Sequence, residues 1–288
     1  MLEIITYTAT LLLLAIGSIT DFRKREVPDW LSYAAIGAGI GIRLIFAIAL
    51  WSWAPLIEGA LGFIPIFILA LVMFYAGQWG GGDSKVLMGI GILIGAKPTL
   101  LVFPMLLTFF INIVMAGSAY GLLYSLVLAA LHAKEFTKEF KKHLAGWRIL
   151  KYICYSLGVL FVIASFFTGE LILKLLLIML SAFSICLFFI WIFIKSLEKA
   201  VMIKKVLVEK LTEGDWIVKD VKVDGKYICG PKDLGIEKYQ IAKLIRLKRQ
   251  DKIRWVMVKE GIPFVPGFLL AFIATLVFGN WLQFLFGF

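Results

Sequence analysis

The chain has 288 residues, 61% of them hydrophobic and only 17% charged, with a mean hydropathy of +0.93 and a formal net charge of +11. Water-soluble domains are about half apolar and about a quarter charged, so this balance excludes a soluble globular protein and points to a helical protein with several membrane crossings. In such a chain, excess Lys and Arg mark inner-side loops against anionic lipid, and nucleic acid is not an expected partner.

The opening stretch MLEIITYTATLLLLAIGSIT lacks a basic leading region and reads as a first transmembrane helix rather than a signal peptide. Its charges, DFRKRE, follow the apolar run, which places the N-terminus outside. Hydropathy gives spans near 2–20, 31–51, 56–76, 84–95, 99–131, 152–168, 171–194 and 263–284. The fourth, SKVLMGIGILIG, reaches only ~18 Å as a helix against a hydrocarbon core of ~30 Å. The fifth is longer than a crossing needs and projects beyond the membrane. Basic segments follow the first and fifth spans and fill 195–259, whereas the turns at 52–55 and 169–170 carry no positive charge and that at 95–99 only Lys97. With eight crossings every basic segment falls on one side, and both termini lie outside.

The expected fold is therefore an all-α polytopic membrane protein of about eight transmembrane helices with a small α+β cytosolic insertion before the last. Its expected parts are a transmembrane core over 1–131, a basic loop and a further helix pair over 132–194, the insertion over 195–262 and a final helix over 263–288. Within the insertion, DWIVKDVKVDGKYICG reads as two strands joined at Asp224-Gly225, a dipeptide that favours tight hairpins. IEKYQIAKLIRLKRQ has helical periodicity, and KIRWVMV reads as a strand. The block 134–151 is basic and partly amphipathic, suited to the inner leaflet.

Chemistry concentrates in two acids. Asp21 ends the first span, and two crossings later the chain returns to the same face at Gly80, Gly81, Gly82 and Asp83. An aspartate before SKVLMGIG also suits a helix cap. Asp21 also suits an interfacial anchor paired with Arg25, although an acid at a helix C-terminus opposes the macrodipole. Acids bordering transmembrane helices are costly to keep and point to function. Joined, the two carboxyls form a proton-sharing dyad able to activate water against a peptide bond. The glycines permit close approach of a substrate backbone, lying across them as an added strand, and φ values other residues avoid. Lys85, one turn on, suits lipid contact or tuning of the site, and Glu3 and Glu58 read as solvated acids at the outer face. His132 and His143 form no zinc motif, no G-x-S-x-G elbow is present, and Cys154, Cys186 and Cys229 include no C-x-x-C pair. No metal or cofactor is called for. The competing reading is an ion- or proton-coupled transporter with Asp21 and Asp83 as cation sites, although such sites usually lie near the midplane.

GGGD at 80–83 matches the G-x-G-D signature of membrane aspartic peptidases. With Asp21 and FRKREVPDWL, and the late segment EGDWIVKDVKVDGKYI…VKEGIPFVPGFLLAFI, the chain resembles the prepilin peptidase family, most of all its archaeal prepilin and preflagellin branch. The resemblance implies an aspartic endopeptidase that cleaves class III signal peptides of pilin-like or archaellin precursors at the cytoplasmic face, with Asp21 and Asp83 as the catalytic pair. Bacterial members often carry two C-x-x-C pairs and methylate the new N-terminus; lacking both pairs, this chain does not inherit that expectation. Glu26 and Asp29, beside Asp21, are candidate contacts for a basic leader that the surrounding positive loops would otherwise repel.

Overall fold

Helices follow one another from the first residues because long apolar runs can satisfy their backbone polar groups inside a bilayer only by coiling on themselves. A computed structural model describes residues 1–77, 79–97 and 105–279. The first four helices are α1 (Leu2–Lys24), α2 (Asp29–Ala49), α3 (Ala54–Tyr75) and α4 (Gly81–Ile94). Next come α5 (Met105–Asn112), a π-helical turn (Ile113–Gly117) and α6 (Ser118–Leu131), then α7 (Ala133–Gly146), α8 (Arg148–Phe166) and α9 (Leu171–Leu197). Among the described residues six helical stretches are long and apolar enough to cross a membrane. α4, of 14 residues, does not reach that length, and α11 (Val265–Phe278), also of 14, is a shorter apolar helix. The expected spans 99–131 and 263–284 and the 95–99 turn lie partly outside the described residues.

Before α11 the chain forms β1 (Ile203–Leu207), β2 (Trp216–Ile217), β3 (Val221–Val223), β4 (Lys226–Cys229), α10 (Lys238–Arg249) and β5 (Trp255–Lys259). β1, β5 and β2 make one sheet in that order; β3 and β4 make the expected antiparallel hairpin. Its turn residues Asp224 and Gly225 take φ of 52° and 75°, the left-handed pair that such two-residue loops require. The small α+β region thus precedes the last helix, as its strand and helix patterns imply.

Contacts divide the chain into two units. One comprises 125–205 and 257–259, where α7, α8 and α9 pack. α7 has no buried residue, yet its Phe136, Phe140 and Leu144 lie against α8 and α9, with Phe136 and Phe193 at 5.3 Å. Its apolar edge is taken up by protein, and its lysines point outward.

The other unit comprises 1–124, 206–256 and 260–288. Its core joins α1 through α5 and α11 around Leu14, Leu87, Ile90, Phe109, Phe268 and Phe272. α4 sits inside this bundle with both ends held. At its C-terminal end the Arg43 side chain, 2% exposed, donates to the carbonyls of Ile92 (2.6 Å), Leu93 (3.0 Å) and Pro55 (2.8 Å), and Ala96 N–H donates to Glu58 O (2.9 Å). Glu58, expected to be solvated, instead lies 3.7 Å from the Arg43 guanidinium, while Glu3 pairs at the surface with Lys97.

Glycines create the space for this packing. A Cβ at Gly62 would stand 2.2 Å from Gly91 O, so α3 and α4 touch backbone to backbone. Gly62→Ala is expected to cost on the order of 3 kcal/mol through overpacking against a backbone that cannot move aside. Gly41→Ala, on α2 with nothing within 4 Å of its Cβ position, should be neutral or stabilising by up to about 1 kcal/mol. Thermal unfolding in detergent measures both, and equal stabilities would contradict the close α3–α4 contact.

Candidate active site

Asp21 occupies the last turn of α1 with its side chain 5% exposed, and its Oδ2 accepts the Val265 N–H at 3.0 Å. Val265 opens α11, where the first N–H groups have no partner within their own helix. The acid that opposes the dipole of α1 therefore sits on the positive end of α11, where a negative charge is favoured. Pairing of Asp21 with Arg25 is not what forms. Arg25 closes α1 in the left-handed region (φ 59°), and its guanidinium donates to Tyr124 Oη (2.6 Å) and to Gly261 O (3.0 Å).

Asp83 was expected to precede its helix as a cap, but the helix begins two residues earlier. Gly80, extended at φ −69° and ψ 161°, is the N-cap, and Asp83 is the third helical residue. Its Oδ2 reaches back to accept the Gly80 N–H at 3.3 Å, so the acid still satisfies a free donor of the first turn. The expected unusual φ values are absent: Gly81 and Gly82 are helical, and only Gly80 is extended. A helical first turn offers no strand edge, so backbone addition across all three glycines has no template here. What remains is room, because Cβ atoms at Gly80, Gly81 and Gly82 would find ordinary contacts at 3.5 to 3.8 Å.

The two acids lie at the same end of the bundle. The segment after α1 lies against the first turn of α4, with Val27 Cβ 3.5 Å from the Cβ position of Gly82, and the Asp21 charge acts directly on the Asp83 carboxyl. Trp79, buried just before the glycines, stacks edge-on against Phe268 of α11 at 6.2 Å. One helix, α11, thus steadies both carboxyl-bearing segments.

The candidate leader contacts separate. Asp29, the first residue of α2, bonds Lys85 Nζ at 2.7 Å, and the same ammonium lies over the Tyr33 ring at 5.7 Å. This exposed pair is worth at most about 1 kcal/mol, yet it gives Lys85 protein partners. Glu26 is exposed and acts, together with Glu260, on Asp215 of the insertion. Burial pushes the Asp215 carboxyl above its ordinary range, the Thr212 N–H (2.9 Å) and hydroxyl (3.2 Å) oppose that shift, and the two neighbouring carboxylates add to it. Asp215 and Glu260 were not singled out from the sequence; nothing in their spacing places them beside Glu26. Among the described residues no group of three or more His, Cys, Asp or Glu side chains is arranged to hold a metal.

Two acids at one end of a bundle of membrane-length helices, the charge of one acting on the carboxyl of the other, define a membrane protein with a candidate hydrolytic centre. Residues 8–132 match the model of the type IV leader peptidase family. The chain is similar to the preflagellin peptidases of Methanococcus maripaludis (38% identical over 90 residues, 31% of this chain and 39% of the relative) and Methanococcus voltae (40% over 92 residues, 31% and 38%). It is also similar to the prepilin leader peptidase/N-methyltransferase of Bacillus subtilis, 29% identical over 152 residues, 53% of this chain and 56% of the relative. The chain thus spans about two fifths of the length of the preflagellin peptidases it matches. No solved structure matches it. The matched region contains both Asp21 and Asp83.

The contacts at the glycines carry a stability prediction. The Cβ position of Gly81 comes no closer than 3.8 Å to its nearest neighbour, Phe74. Gly81→Ala should therefore keep the fold, gaining up to about 1 kcal/mol from helix propensity. A clear drop in unfolding temperature would show that the protein itself, and not an incoming chain, needs the bare backbone.

Proposed function

We propose that this chain is a membrane aspartic endopeptidase that removes class III signal peptides from pilin-like or archaellin precursors at the cytoplasmic face. The observation that carries the reading is the placement of Asp21 and Asp83 at one end of the bundle, Asp21 held by backbone N–H groups at the start of α11 and Asp83 by the Gly80 N–H, with the Asp21 charge acting on the Asp83 carboxyl. Two such carboxyls do not both ionise cheaply, so they titrate as a pair that holds one proton between them. The ionised member takes a proton from water as the water oxygen bonds the scissile carbonyl carbon. The neutral member hydrogen-bonds the carbonyl oxygen and then protonates the departing nitrogen as the C–N bond breaks. Water is the only co-reactant, and the pair ends with one proton, as it began.

The family match over 8–132 supports a leader peptidase, and the names of the similar archaeal proteins support a flagellin-like or pilin-like precursor. The positive loops support placing the site at the inner leaflet beside anionic lipid. Methylation of the product is not part of this proposal. Glu26, unpaired by Lys85 and facing the acids of the insertion, is the better placed of the two candidate contacts for the basic leader.

Asp21→Asn and Asp83→Asn, assayed in membranes with a tagged precursor, should each lower processing by about 100-fold or more, the scale of losing a general acid or base. Processing at the parental rate in either variant would end the dyad reading. Aspartate-dependent ion uptake without proteolysis would replace it with a transporter. Glu26→Arg should raise KM for the precursor several-fold more than it lowers kcat, the signature of lost uniform binding; unchanged kinetics would remove Glu26 from the leader path.

A further inference from the structure

The hydroxyl oxygen of Tyr120, on the first turn of α6, is shielded from solvent although the residue as a whole is only half-buried, and among the described residues it has no hydrogen-bond partner. Leaving a buried hydroxyl unmatched is costly, and a phenylalanine would fill the same space without that cost. Packing therefore explains the ring of Tyr120 but not its oxygen.

The position of that oxygen follows from the helix directions. α11 runs antiparallel to α1, since Val265 meets Asp21 and Phe272 meets Tyr7. The stretch from α5 to α6 runs antiparallel to α11, since Asn112 bonds Thr275 while the Gly267 Cβ position lies 3.4 Å from both Gly117 and the Tyr120 ring. α1 and α6 are therefore parallel. Their register is fixed where Tyr124 accepts a hydrogen bond from Arg25 at 2.6 Å and stacks edge-on with Phe22 at 6.3 Å. One helical turn back along both helices, Tyr120 comes level with Asp21. The charges of Asp21 and Arg25 both act on its phenol, in keeping with that register. A π-helical turn, a feature often found at functional sites, directly precedes α6 and sets its phase.

We propose that Tyr120 is a further catalytic residue of this site, its hydroxyl donating a hydrogen bond to the oxygen that becomes negative when water adds to the scissile carbonyl. The inference rests on the aspartic reading above and deepens it. The phenol stays neutral throughout: it gives no proton away, and the carboxyl pair performs every proton transfer. A donor whose oxygen is already shielded from solvent, on a ring that lies against Tyr124 and Gly267, needs little rearrangement as charge develops, which is where such groups lower a barrier most. The adjacent tyrosine is no substitute, because Tyr124 is engaged by Arg25.

Tyr120→Phe keeps the ring and removes only the unmatched oxygen. Purified in lipid nanodiscs and given a tagged precursor, it should unfold at the parental temperature or slightly above. Its KM should stay within about twofold and its kcat should fall about 100-fold, the range for losing one oxyanion donor. Parental kcat in Tyr120→Phe, alongside inactive Asp21→Asn and Asp83→Asn, would overturn the role of the phenol and leave the dyad intact. A lowered unfolding temperature would equally overturn it, by showing that the hydroxyl holds structure. Active aspartate variants would instead remove the dyad, and the phenol proposal with it.

Discussion

Inside a bilayer every backbone carbonyl needs a partner, and α4 is too short to carry its own to the interface. Its 14 residues span ~21 Å where the hydrocarbon is ~30 Å thick, so its C-terminal carbonyls end among apolar neighbours. Arg43 resolves this by donating to Ile92, Leu93 and Pro55 at once, using the flat, multi-donor geometry that only a guanidinium offers. An arginine buried in apolar surroundings is itself expensive, and Glu58 at 3.7 Å offsets part of that cost. Once this end is pinned, the opposite end of α4 is pinned with it. The height of Gly80 and Asp83 in the bundle is set by a clamp a full helix length away.

The glycines of the α2–α3–α4 contact belong to the same constraint. Gly95 takes φ +69° with its Cβ position 2.2 Å from Arg43 Nη2, and Gly59 would place a Cβ 2.5 Å from the same side chain. They clear the volume that the guanidinium occupies. Gly80, Gly81 and Gly82 are of a different kind, since no described residue crowds them. In one short helix, then, glycines at the C-terminal end serve packing, whereas those at the N-terminal end leave the acid open to approach.

Much of this architecture is legible from the sequence, and the parts that are not share one cause. Long apolar runs mark most of the helices, Asp224-Gly225 marks the hairpin, and counting crossings brings Asp21 and Asp83 to one end. Partner identities fail wherever a distant helix intervenes. Asp21 looks toward Arg25 on its own helix, but Val265 N–H, 244 positions away, takes its carboxylate. Lys85 reads as a lipid contact, and the sequence gives no sign that Asp29 of α2 also pairs with it. Glu58 looks solvated until Arg43 is found beneath it. A lone arginine inside the span 31–51 was the available signal for that clamp, because an ionisable group at such a place must have a partner. Tyr120 carried no such mark, since one tyrosine among many aromatics becomes distinctive only when its oxygen is seen to lack a partner.

The placement of α11 explains how residues so far apart make one centre. In sequence, residues 125–205 of the other unit and then the insertion lie between residues 1–124 and α11, yet α11 packs on α1 and its first N–H binds Asp21. Its second turn holds Phe268 against Trp79, immediately before the glycines of α4. Asp21 and Asp83 are thus fixed to a common third element and do not depend on direct contact with each other. Such support locks first-contact groups through packing and a second layer of hydrogen bonds, which is what preorganised sites require. Both carboxylates are held by backbone N–H groups, Asp21 by those that open α11 and Asp83 by that of Gly80. The chain that enters α11 has just left the insertion that carries Asp215, on whose carboxyl the charges of Glu26 and Glu260 act.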